Sequence, residues 1–149
     1  MVRSQNATFC GDEPGSVGDR IRGETIARRI STRLFTHGWS IGKIDDWRDA
    51  GFLIPIHRNG ASLILVVTQY CGDDRRWILQ IAAKQYPGIV RRCFGFSPSA
   101  TPNDIHDLAC DVHAAIAECG FSDALWCWDD FDDNDRCTCE PSPPKGQPI

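Results

Sequence analysis

Three apolar segments in the middle of the chain, separated by turn residues, limit how this sequence can fold. Residues 52–56 and 63–68 are almost entirely apolar, and Asn59-Gly60 lies between them. Because a type I′ turn needs positive φ at both central residues, Asn-Gly in this position predicts a β-hairpin. In residues 77–84, apolar side chains alternate with polar ones, which is typical of a half-buried strand. The three segments therefore predict an antiparallel meander.

Two amphipathic helices are predicted, one before the meander and one after it. In residues 19–36, apolar side chains recur every three or four residues, with arginines on the other side. The second helix is expected to begin after Thr101, because Thr101 and Asp104 match a capping box and Pro102 suits the first turn. Gly120 is expected to end it, since glycine readily adopts the left-handed conformation that follows a helix.

Together these elements predict an α+β two-layer sandwich, in which two main helices pack on one face of the sheet. The sheet is expected to be mainly antiparallel, with roughly four strands, and the last strand covers residues 124–128. A short additional helix is expected at residues 40–49. Pro55 marks the first strand of the meander as an edge strand, because proline cannot donate a hydrogen bond to a neighbouring strand.

One folded domain is expected, covering residues 17–130. Residues 1–16 are polar and show no periodicity, which predicts a flexible lead-in. Residues 131–149 are first acidic and then rich in proline, which predicts a disordered tail.

The composition favours a soluble cytoplasmic protein that does not enter a membrane. Hydrophobic residues make up 42% of the chain, as in ordinary globular proteins, and no run of apolar residues is long enough to span a bilayer. The N-terminal residues lack the apolar core of a secretory signal. Eight cysteines would suggest disulfides in a small secreted protein, but here free thiols are expected, and packing as small apolar side chains explains Cys110, Cys119 and Cys127.

Charge is unevenly distributed in this chain, whose net charge is −4. Residues 104–140 contain eleven acidic residues and one basic residue, Arg136. Such a surface steers association with oppositely charged molecules, so the expected partner is another protein with a basic surface. The arginines of the first helix form only a weak basic footprint, and the sequence carries no nucleic-acid-binding motif, so nucleic acid is not the expected partner.

An acidic and aromatic segment follows the last predicted helix. The candidate partner-binding residues in it are Trp126, Trp128, Asp129, Asp130, Phe131, Asp132 and Asp133. If this segment begins as a strand, both tryptophans share one face and Leu125 and Cys127 share the other. The tryptophans then either anchor a partner on the open side of the sheet or fill the core. The sequence leaves both arrangements open.

In architecture and charge only, a small acidic α+β sandwich resembles bacterial immunity proteins and secretion chaperones, which act by binding another protein. The sequence also lacks the short motifs of common hydrolases and nucleotide-binding enzymes. The leading hypothesis is therefore a non-catalytic protein-binding module that uses the acidic aromatic C-terminal segment.

The alternative hypothesis is a zinc-binding protein or a metal-dependent enzyme. His106, Cys110 and His113 lie on one narrow face of the second predicted helix. Imidazole and thiolate groups suit zinc, and a cysteine of the C-terminal segment would complete a tetrahedral site. The other interpretation is that these are ordinary side chains on the flank of the helix. The aspartate run itself does not fit an EF-hand, because it lacks the required glycine and glutamate.

Overall fold

Seven strands and two helices make up the part of the chain that the computed structural model describes, which is residues 3–13, 22–48, 50–70, 75–84, 100–129 and 137–145. The strands are β1 (Ser4–Cys10), β2 (Ser40–Ile41), β3 (Asp45–Trp47), β4 (Gly51–Arg58), β5 (Ala61–Gln69), β6 (Arg76–Ala83) and β7 (Ser122–Trp128). The helices are α1 (Glu24–Thr36) and α2 (Pro102–Glu118).

All the strands belong to one open antiparallel sheet. Their order across the sheet is β2-β4-β5-β6-β1-β7, and β3 also pairs with β4. The predicted α+β class, antiparallel sheet and two helices are thus confirmed, but the sheet has seven strands rather than about four. The additional strands are β1, β2 and β3, which are short or largely polar and carry little of the apolar pattern that indicates a strand.

The predicted meander is confirmed as β4, β5 and β6, which pair in sequence order. Asn59 and Gly60 have φ values of 51° and 81°, the positive values that a type I′ turn requires. Although Pro55 was expected on an edge strand, β4 has neighbours on both sides. Gly42 donates its N–H to the carbonyl of Pro55 at 2.8 Å, so the nitrogen of Pro55 faces the interruption between β2 and β3. The missing donor is tolerated there.

The N-terminal strand β1 occupies a position inside the sheet, between β6 and β7. The structure thus places residues 4–10 in the sheet, although they belong to the predicted flexible lead-in. Ala7 and Phe9 are fully buried, and Gln5 shares their face of the strand. Polar side chains occupy the alternate positions, so only two apolar residues mark this strand in the sequence.

Helix α1 begins at Glu24 rather than at residue 19, and a residue distant in sequence caps it. Gly23, with φ of 114°, precedes the helix and has no side chain to accept a hydrogen bond. The carboxylate of Glu13 instead accepts the N–H groups of Gly23 and Thr25 at 2.7 and 3.0 Å. A negative charge is stabilising at this end of a helix, because the free N–H groups carry partial positive charge.

The short helix predicted at residues 40–49 is replaced by β2 and β3. Ile41 lies opposite Ile56, and Trp47 lies opposite Gly51. A helix of this length is only marginally stable by itself, whereas pairing with β4 satisfies the same backbone groups through tertiary contacts.

Both helices pack on one face of the sheet, and the hydrophobic core lies between them and the strands. Helix α1 lies over β2 and β4, while α2 lies over β1, β6 and β7. The capping box of α2 is confirmed, since Thr101 and Asp104 each accept a hydrogen bond from the backbone N–H of the other, at 3.2 and 2.8 Å. Neither described helix is long and apolar enough to cross a membrane. The arrangement places β7, the outermost strand, under α2.

Candidate functional site

The candidate site is the outer edge of β7. Along its inner side β7 pairs with β1, with Leu125 opposite Thr8 and Trp126 opposite Ala7. On its outer side a single bridge joins Trp126 to Thr138, through hydrogen bonds of 2.7 and 2.8 Å. Only part of this edge is therefore covered by the described residues.

A β-bulge shapes the uncovered part of this edge. Leu125 lies opposite Thr8 and Ser122 lies opposite Cys10, so Asp123 and Ala124 together face a single residue of β1. Asp123 has φ of 57°, in the left-handed region that aspartate tolerates better than most residues. A bulge of this kind increases the local twist and redirects the side chains around it.

The backbone of Ala124 points outward. Directions of N–H and C=O groups alternate along a strand, so those of Ala124 point to the same side as those of Trp126. No described residue forms a hydrogen bond with the Ala124 backbone on that side. An unpaired edge of this type can accept an additional strand.

The two tryptophans of β7 face the helices. Trp126 is fully buried, and its indole N–H donates to Nδ1 of His113 on α2 at 3.1 Å. Trp128 is half-buried, and its indole N–H donates to the carbonyl of Ser142 at 2.9 Å. Of the two arrangements left open by the sequence, the core arrangement therefore holds for Trp126, which presents no surface to a partner. The exposed apolar residue of β7 is Leu125 instead, at 39% of its maximal exposure.

Asp129 is the one acidic candidate that the structure describes. It is exposed, and its carboxylate accepts the backbone N–H of Ser4 at 3.0 Å and lies 3.8 Å from the guanidinium of Arg3. Asp129 therefore helps to hold the start of β1. The candidates Asp130, Phe131, Asp132 and Asp133 lie outside the described residues, so their role in binding stays a prediction.

The described part of the predicted disordered tail, residues 137–145, lies against β7. The carbonyl of Ser142 accepts hydrogen bonds from the amide of Gln5, at 3.0 Å, and from the indole of Trp128. Pro144 is buried. The tail thus accepts hydrogen bonds from one side chain of β1 and one side chain of β7. The composition of the tail gives no sign of these interactions.

Two cavities lie on either side of the Ala124 backbone. One, of about 290 Å³, lies on the helix side, where Ile116 and Phe121 contribute apolar lining. The other, of about 330 Å³, is lined by Leu125 and Arg76 on the opposite face. Asp123, Ala124 and Cys139 border both cavities. The uncovered edge thus has a pocket on each face of the sheet.

The three candidate metal ligands on α2 are only partly brought together. Sγ of Cys110 lies 3.6 Å from Nε2 of His106. His113 instead accepts the indole N–H of Trp126 through Nδ1. Among the described residues, no three histidine, cysteine or acidic side chains are arranged to hold a metal ion. Zinc binding at this helix face stays a prediction.

The Cys110 thiol lies in an acidic environment at the surface of α2. Desolvation raises the pKa of the Cys110 thiol above its ordinary value, and the negative charges of Asp107, Asp111 and Glu140 raise it further. The thiolate is the reactive form of cysteine, so this environment makes Cys110 a weak nucleophile at neutral pH.

Replacing Asp107 with asparagine is expected to make Cys110 react faster with iodoacetamide. Removing a nearby negative charge favours the thiolate, which lowers the pKa of Cys110 and raises its thiolate fraction at pH 8. An exposed charge interaction of up to about 1 kcal/mol corresponds to an increase of up to about fivefold in rate. Peptide mass spectrometry of timed alkylations between pH 7 and pH 10 measures both the rate and the pH midpoint.

The control is Asp45→Asn, which removes a charge on β3. This strand lies near the opposite edge of the sheet from β7. An unchanged midpoint for Cys110 in Asp107→Asn would contradict the electrostatic explanation.

A second polar cluster, missed by the sequence analysis, joins α2 to α1 and β4. The buried Trp39 donates its indole N–H to Asp111 at 2.7 Å. Arg58 lies 3.4 Å from the same carboxylate oxygen, and its guanidinium stacks 3.7 Å from the centroid of the Trp39 ring. His37 lies between the carboxylates of Asp111 and Glu118, at 3.7 and 3.0 Å. These residues are far apart in sequence, so no local spacing could have indicated the cluster.

The fold defines an α+β protein with an open antiparallel sheet, and the candidate site is an edge of that sheet that the described residues cover only in part. Comparisons with protein-family models, with curated proteins and with solved structures found no match to this chain.

Proposed function

We propose that this protein is a non-catalytic protein-binding module, whose partner presents a basic surface to the outer edge of β7. The observation that carries the proposal is the Ala124 backbone, whose outer side no described residue covers, with an exposed apolar side chain, Leu125, directly beside it. Sheet edges of this kind are a common site of association between proteins.

The charge around this edge favours a basic partner. Asp123 and Glu140 are both exposed, and Asp123 borders both cavities. They belong to the segment 104–140, in which acidic residues outnumber basic ones eleven to one. Complementary charge raises the association rate and disfavours acidic competitors. Leu125 supplies the apolar contact that charge alone does not provide.

A test of the proposal begins with the purification of whatever protein the full chain retains from lysate of its source organism. The affinity of that purified protein is then measured for the chain and for the double variant Asp123→Asn, Glu140→Gln. Asparagine tolerates positive φ, so the first change preserves the bulge. We expect affinity to fall about fivefold to tenfold at low salt, mainly through slower association, and the difference to shrink as salt is added.

The matched control is the double variant Asp45→Asn, Glu24→Gln, which removes the same two charge types from β3 and α1. Both residues are exposed and carry surface ion pairs that contribute little to stability. Equal affinity of the two double variants for the purified protein would contradict a site at β7. Retention of no specific protein would contradict the binding function itself.

A further inference from the structure

We infer that the partner binds by adding an extended segment to β7 as a further strand, with basic and apolar side chains alternating along it. This inference rests on the proposed function and specifies how the partner is recognised. Backbone hydrogen bonds to an exposed edge give such complexes their affinity, and pockets for alternate side chains give them their specificity.

The outer side of β7 presents backbone groups that an incoming strand can pair with. The N–H and C=O groups of Ala124 point away from β1, and no described residue pairs with them. Thr138 occupies the adjacent position along the same edge, at Trp126. An incoming segment would therefore continue the pairing that Thr138 begins along this edge, and would have space for only a few residues.

The two cavities beside Ala124 lie where the side chains of an added strand would point. Successive side chains of a strand point to opposite faces of a sheet. A segment lying beside Ala124 would direct one side chain into the cavity lined by Ile116 and Phe121, and the next toward Leu125 and Arg76. The position of one pocket on each face matches the alternation of an extended chain.

Charge selects the occupant. Asp123 borders both cavities and is opposite in charge to Arg76 in the second one, and the exposed Glu140 follows Cys139, which also borders both. The two carboxylates favour lysine or arginine on the incoming segment. A second copy of this chain, pairing β7 with β7, would bring these carboxylates close to their equivalents, which is destabilising. The opposite edge of the sheet consists of the short strands β2 and β3, which have two and three residues. Lys43 and Asp45 carry exposed charges there. Short charged strands are typical of protected edges.

The experiment uses the full chain labelled with ¹⁵N and a synthetic probe, the N-acetylated and C-amidated peptide Lys-Val-Lys-Val-Lys. Its matched controls are the peptide Glu-Val-Glu-Val-Glu and two N-methylated forms of the basic peptide, one methylated at both valines and the other at the central lysine. N–H groups alternate in direction along a strand, so each methylated form removes donors from one side only. The dissociation constant is measured by NMR titration up to 1 mM peptide.

We expect binding of the basic peptide with a dissociation constant on the order of 0.1–1 mM, since few residues can pair. One methylated form should bind at least tenfold more weakly, while the other stays within about threefold. Hydrogen exchange of the Ala124 amide should slow. The variant Leu125→Ala should bind about threefold to tenfold more weakly, whereas the control Phe35→Ala, which removes an apolar side chain 69% exposed on α1, should not.

Several results would overturn the inference: no binding up to 1 mM, equal binding of the acidic peptide, equal effects of both methylations, or unchanged exchange at Ala124. These results are distinct from failure of the proposed function. A purified partner that loses affinity for Asp123→Asn, Glu140→Gln but leaves exchange at Ala124 unchanged would keep the function and overturn strand addition. A partner whose affinity is insensitive to that double variant would overturn the proposed function first.

Discussion

Replacing Trp126 with alanine is expected to lower the free energy of unfolding by about 3–5 kcal/mol. Trp126 is fully buried between β7 and α2, so the truncation leaves a large cavity under the helix. The change also removes the indole N–H that donates to His113. A loss of this size is a large fraction of the stability of about 5–15 kcal/mol that a typical domain has. Urea denaturation followed by circular dichroism measures it.

Two further variants identify the cause of that loss. Trp126→Phe keeps most of the apolar volume and removes the indole N–H, so a loss of about 1–2 kcal/mol is expected. Trp47→Ala removes a partly exposed ring from β3, near the opposite edge of the sheet. It should lower the free energy of unfolding by no more than about 1 kcal/mol. Equal losses in Trp126→Ala and Trp47→Ala would show that Trp126 does not face the core.

Replacing Asp111 with alanine is expected to lower the free energy of unfolding by about 1–3 kcal/mol. The indole N–H of Trp39 is buried and would lose its acceptor, and the guanidinium of Arg58 would lose its nearest carboxylate. Leaving a buried donor unsatisfied costs more than the interaction itself contributes. Because the cluster joins α2 to α1 and β4, thermal unfolding of these elements should shift to lower temperature, by roughly 2–4 °C per kcal/mol.

Matched substitutions separate this effect from a change in helix charge. Asp111→Asn retains an oxygen that can accept the Trp39 N–H, so its loss should be smaller than that of Asp111→Ala. Asp107→Ala removes an exposed carboxylate one turn earlier on α2 and should change stability by no more than about 0.5 kcal/mol. If Asp111→Ala and Asp107→Ala have the same effect, the hydrogen bond to Trp39 does not stabilise the fold.

Elements with strong local signals were predicted from the sequence. The Asn59-Gly60 turn needs only two residues of defined conformation, and the capping box of α2 needs only Thr101 and Asp104. The central strands carry enough apolar residues for their periodicity to be clear. In contrast, β1 contains only Ala7 and Phe9 as core residues, and its place between β6 and β7 depends on pairing with segments distant in sequence. Local pattern therefore gave no indication of it.

The candidate site was predicted only in part. The sequence indicated the acidic region and a strand at residues 124–128, and both are elements of the proposed site. The predicted anchor Trp126 is buried, and the exposed apolar residue is its neighbour Leu125. The backbone of Ala124 lies at the bulge that includes Asp123, and among the described residues only Thr138 bridges this side of β7. Neither feature has a signature in the composition of the chain.

The sequence by itself determined the turn at Asn59-Gly60, the start of α2 and the acidic character of the region around β7, because these properties depend on residues close together along the chain. Only the tertiary structure decided that Trp126 faces α2 and that the outer edge of β7 is partly open. The physical reason is the two-residue period of a strand. That period assigns side chains to two faces of the strand but does not indicate which face is buried. The buried face depends on the helix and the neighbouring strand that pack against β7.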